Sequence, residues 1–62
     1  MCINKMSVFV YNNNTAEVVL DGKSVYTDKA TAYSFVLSAR ENMKEAYWNK
    51  AYNGDETYIF VK

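Results

Sequence analysis

Apolar and polar residues alternate in several short stretches of this chain and recur at helical spacing in a longer one. Residues 6–11, Met-Ser-Val-Phe-Val-Tyr, combine β-branched and aromatic types that suit a pleated surface, which predicts a first strand. Asn12, Asn13 and Asn14 follow, and asparagine tolerates left-handed backbone angles, so the run marks a reversal. Ala16 to Leu20 form a second strand, and Asp21-Gly22 is a strong two-residue hairpin signal. A type I′ turn there sets Leu20 opposite Lys23, Val18 opposite Val25 and Glu17 opposite Tyr26, with Val19 beside Ser24. An alternative pattern makes Gly22 a bulge inside one strand over 16–27, paired with an equally long strand over 2–13.

Thr27 or Asp28 is suited to cap a helix, since either side chain accepts bonds from the first free backbone amides. The spacing predicts a helix from Lys29 to Tyr52, closed by Asn53-Gly54. At about 100° per residue, Ala32, Phe35, Val36, Ala39, Met43, Ala46 and Tyr47 form one stripe. Ser34, Ser38, Glu41, Asn42, Glu45 and Asn49 lie opposite. Thr57 to Lys62 give the last strand.

The predicted fold is a single α+β domain over residues 1–62, in the order βββαβ. Its four-stranded, mostly antiparallel sheet has the order 3-2-1-4, with one helix packed on one face and the last strand parallel to the first through a right-handed crossover. In the bulge alternative the last strand lies antiparallel to the first. Val8, Val10, Val18, Val25, Ile59 and Val61 are expected on one side of the sheet. Phe9, Tyr11, Val19, Tyr26, Tyr58 and Phe60 are expected on the other. One helix covers one side only, so the pattern demands a further surface to cover the second.

Size sharpens that demand. A 62-residue chain buries only about 60% of the surface its unfolded form exposes, so extra burial in an oligomer adds a large fraction of its stability. The single cysteine, Cys2, has no partner for an internal disulfide and no paired metal ligand, which fits a reducing, cytoplasmic setting. Seven basic and seven acidic residues cancel, which argues against a nucleic-acid clamp. No run of about 18 apolar residues or secretory leader pattern is present, so a membrane is not an expected partner. The lack of His and Pro, beside six Tyr and seven Asn, resembles A/T-rich coding, as in many small accessory proteins of phages and low-GC bacteria.

Two surfaces emerge as candidates. One is the aromatic sheet face, Phe9, Tyr11, Tyr26, Tyr58 and Phe60, where exposed apolar area marks an interaction site. The other is a helix flank on which Tyr33, Leu37, Arg40, Lys44 and Trp48 recur every three or four residues, in the mixture favoured at binding hot spots. The competing reading of that flank lays the Arg40 and Lys44 stems over the sheet edge while Leu37 and Trp48 complete the core. No enzyme chemistry is indicated: there is no His, no Cys/His pair and no nucleophile elbow, and the Glu41/Glu45 and Asp55-Glu56 pairs suit solvated surface. No cofactor is implied. The expected function is a non-enzymatic, homodimeric interaction protein that binds and inhibits or regulates a protein partner, of the viral accessory kind. The alternative is a module that binds a small ligand, a nucleotide or single-stranded nucleic acid on the same aromatics.

Overall fold

The computed structural model describes residues 3–62; the reading of Cys2 as a lone thiol lies outside them. The chain runs β1 (Lys5–Val10), β2 (Thr15–Leu20), β3 (Lys23–Asp28), α1 (Lys29–Asn42), β4 (Lys44–Lys50) and β5 (Glu56–Val61). All strand pairs are antiparallel, in one five-stranded sheet of order β3-β2-β1-β5-β4. The α+β class and the placement of the last strand beside the first are as the pattern predicts. The fifth strand is not.

Asp21 and Gly22 both take positive φ, 49° and 89°, which is the type I′ geometry. The β2–β3 register follows as expected: Leu20 pairs with Lys23, Val18 with Val25 and Glu17 with Tyr26. The pairing runs without interruption, so the bulge alternative at Gly22 does not hold. The Asp21 carboxylate also accepts bonds from the backbone amides of Asn4 and Lys5, at 3.0 Å each, tying the turn to the start of β1.

Asp28 caps the helix by accepting from the backbone amide of Thr31 at 3.2 Å and from its hydroxyl at 2.6 Å. The helix ends ten residues before the predicted Tyr52. Met43 leaves the helical region at φ −137°, and the Asn42 side chain donates to the Ser38 carbonyl at 2.9 Å. Length explains the difference. A 14-residue helix spans about 21 Å, matching six-residue strands of about 20 Å, whereas 24 residues at about 1.5 Å each overshoot the sheet. Residues 44–50 instead turn back as β4, so Ala46 and Tyr47 are not part of a helical core stripe and Glu41 and Glu45 are not a helical pair.

This added reversal makes β5 antiparallel to β1, not parallel. It also sets the phase of β5: Tyr58 pairs with Val8 and Phe60 with Met6, so both aromatics join the helix side. The core is Met6, Val8, Val10, Ala16, Val18, Tyr58 and Phe60 from the sheet, with Ala32, Val36 and Ala39 from the helix. Ile59 and Val61 move to the opposite side. The expected faces of the last strand are thus exchanged.

Candidate interaction surfaces

Alternation along the strands leaves Phe9, Val19, Tyr26, Tyr47, Ile59 and Val61 on the face away from the helix. The cross-strand register gathers them. Ser24, Val19, Ser7, Ile59 and Tyr47 form one row across all five strands. Tyr26, Glu17, Phe9, Thr57 and Asn49 form the next, while Lys5, Val61 and Lys44 form a shorter row on the other side. Short Ser7 is buried among taller neighbours, Phe9, Val19, Ile59 and Val61 are partly exposed, and Tyr26 is 73% exposed. Tyr11 donates a 2.9 Å hydrogen bond to Glu17, and its phenol is pushed above the ordinary tyrosine value by burial first and the bond to Glu17 second. Of the five aromatics expected on an exposed face, Phe9 and Tyr26 are there and Tyr11 stands at its end. Tyr58 and Phe60 are core.

The second surface lies where β4 extends the sheet beyond the helix. Trp48 pairs with Tyr58 across β4 and β5, and their rings stack at 5.6 Å with 11° between planes. Arg40 places its guanidinium carbon 5.5 Å from the Tyr58 ring centroid and reaches Glu45 at 3.2 Å. Tyr33, Arg40 and Trp48 therefore converge on one place, though along a helix–strand junction and not a continuous helix flank. Lys44 is not with them: it pairs with Val61 on the opposite face. Trp48 is 51% exposed and Leu37 63% exposed, so neither completes the core.

Beneath this junction lies a partly buried acidic group with two phenol partners. Glu56 accepts from the Tyr33 hydroxyl at 2.6 Å and from the Tyr58 hydroxyl. Burial pushes its carboxyl up, but the two phenols, with Lys50 and Lys29 nearby, outweigh it and hold the group below its ordinary value. Tyr33 is raised to about 12, chiefly by its bond to Glu56, and Tyr58 is raised by burial first and the same carboxylate second. A firmly ionised carboxylate between two firmly protonated phenols is a positioning network. It fixes the Tyr58 ring on which Trp48 and Arg40 rest. Sequence pattern alone does not find it, because Glu56 looks like loop until β4 supplies its hairpin partner.

A shallow cavity of about 360 Å³ opens at the C-terminal end of α1, between Ile3, Met6, Ala39 and Met43, with Asn42 and Lys62 at its polar side. Among the described residues no cluster of His, Cys, Asp or Glu has metal-binding geometry, and no helix is long and apolar enough to cross a membrane. No protein-family model matches the chain, and neither the curated proteins nor the solved structures yield a match.

Proposed function

We propose that the chain is a small non-enzymatic interaction protein that works as a homodimer and, in that form, binds and inhibits or regulates a protein partner. The observation that carries this reading is the bare side of the sheet, where Phe9, Val19, Tyr47, Ile59 and Val61 lie side by side with no element among the described residues over them. Five strands about 4.8 Å apart and about six residues long, at about 3.4 Å each, give a footprint of roughly 500 Å². Two such faces together bury about 1,000 Å², the range in which specific interfaces begin. Trp48, Arg40 and Leu37, on the other side of the sheet, stay free in such a dimer. Trp and Arg are the residue types that dominate binding energy in protein contacts, which supports this junction as the partner-facing surface.

Light scattering tests the reading with one substitution on each face. The native chain is expected to have twice its 7.1 kDa mass at micromolar concentration. Ile59→Lys, which puts a charge in the middle of the bare face, is expected to give a folded monomer. Trp48→Ala is expected to remain dimeric while losing the partner. A native chain that stays at 7.1 kDa up to millimolar concentration would contradict the homodimer.

A further inference from the structure

Asn53-Gly54 is the one place in the chain where a glycine follows an asparagine. Such a pair is chemically labile, because glycine has no side chain to shield its amide nitrogen from the neighbouring carboxamide. The nitrogen attacks the asparagine Cγ: an N–Cγ bond forms, the Cγ–Nδ2 bond breaks, and the amide proton leaves in ammonia. Water then opens the cyclic imide at either carbonyl, which gives aspartate or isoaspartate. Asn53 is exposed in the turn between β4 and β5, yet every group that would take part is occupied. The Gly54 amide donates to the Ala51 carbonyl at 3.0 Å. The Asn53 carboxamide donates to the Asp55 carboxylate at 3.2 Å and accepts from the Asp55 amide at 3.3 Å. From the loop after β1, the Asn12 side chain donates to the Asn53 carbonyl at 2.8 Å, and the Asn12 backbone amide donates to the Asp55 carboxylate at 2.8 Å.

We propose that Asn53 is a deamidation site guarded by the Asn12 interlock, and that its conversion to a carboxylate unlatches β4. Ring closure requires the Asn53 carboxamide to leave Asp55 and the Gly54 amide to leave Ala51. It also requires the Asn53 carbonyl to turn, and the Asn12 side chain holds that carbonyl. These bonds must open together, so the rate in the folded chain is set by the small population of the open loop. The product reverses the local chemistry. An oxygen stands where Nδ2 donated to Asp55, and two carboxylates face each other at hydrogen-bond distance. Asp55 also accepts from the backbone amide of Asn12 with its carboxylate and from that of Ala51 with its carbonyl, so repulsion at this point loosens both loops. Within the sheet β4 is an edge strand held by β5 alone, and it carries Trp48. The site needs water and no second copy of the chain, so it stands apart from the homodimer.

Mass spectrometry of the tryptic peptide over residues 51–62, in which Asn53 is the sole asparagine, reads the reaction directly. At one mildly alkaline pH and one temperature, the native chain is expected to deamidate roughly tenfold or more slowly than the chain unfolded in urea. Asn12→Ala is expected to raise the rate in the folded chain severalfold. Gly22→Ala, whose strain lies at the opposite end of the sheet, is expected to leave it near the native value. Equal rates in the native and unfolded chains overturn the guard, as does an Asn12→Ala rate no faster than that of Gly22→Ala. Asn53→Asp installs the product outright. Hydrogen exchange at the amides of Asn12 and Ala51 is expected to quicken roughly tenfold in that variant, while the Asp21 amide, bonded to the Lys5 carbonyl, keeps its native rate. Native exchange rates at Asn12 and Ala51 overturn the unlatching of β4.

Discussion

Glu56 shows how one residue holds a surface in place. Its carboxylate accepts from Tyr33 and Tyr58, and its folded-state pKa lies below the ordinary value despite burial. A carboxyl so shifted contributes stability above its unfolded value and loses it as pH falls through the folded one. Glu56→Gln is therefore expected to lower stability at neutral pH and to flatten the acid limb, as read by urea midpoints between about pH 6 and 2; an unchanged acid limb would deny the network its role. The phenols work in the opposite direction: Tyr33, raised to about 12, contributes stability below the ordinary tyrosine value that is lost as pH rises towards 12. Phe60 is fully buried, and Phe60→Ala is expected to cost about 3–5 kcal/mol. For a chain whose stability at about 0.05–0.15 kcal/mol per residue totals only several kcal/mol, thermal melting should show a largely unfolded variant. Sequence pattern places Tyr58 and Phe60 on the exposed side because alternation gives the two faces of a strand but not which face meets the helix. That choice depends on the pairing partner, and the partner of Tyr58, Val8, lies about fifty residues away in the chain.

At the scale of elements, the hairpins divide by how local their information is. The β2–β3 hairpin is legible residue by residue because Asp21-Gly22 dictates its own turn and the turn dictates the register. Gly22 has φ 89° and open space where a methyl group would stand, so Gly22→Ala costs backbone strain alone. A loss of about 1 kcal/mol in chemical denaturation is expected, and a neutral result would remove the argument from positive φ. The β4–β5 hairpin is different. Asn53-Gly54 suits a helix cap as well as a strand turn, and Ala46, Tyr47 and Trp48 fit a helical stripe as well as a strand. The decision is made by tertiary contacts: the backbone amide of Asn12 donates to Asp55 at 2.8 Å, and the Asn12 side chain donates to the Asn53 carbonyl at 2.8 Å, locking the two loops together. Carbon chemical shifts over residues 44–50 are expected to be those of extended backbone, broken near Ala46 by the register shift between Glu45 and Tyr47. Helical shifts across that segment would restore the longer helix and remove β4.

For the molecule as a whole, the arithmetic of faces holds even though individual residues change sides. One helix covers the central strands on one side of the five-stranded sheet, leaving Val25 on β3 and Trp48 on β4 exposed, and the other side retains Phe9, Val19, Tyr47, Ile59 and Val61. Two of the expected aromatics exchange places with two aliphatics, but the bare face stays apolar. Tyr33, Arg40 and Trp48 converge because β4 folds back beside the helix, a route that helical spacing does not contain. The claim that the bare face meets a second copy is tested most directly by isotope-filtered nuclear Overhauser contacts in an equal mixture of labelled and unlabelled chain. Contacts between copies are expected from the methyl groups of Val19, Ile59 and Val61 and from the ring of Phe9, with none from Val8, Val10 or Val18. An absence of contacts between copies at millimolar concentration, or contacts confined to Leu37 and Trp48, would contradict it.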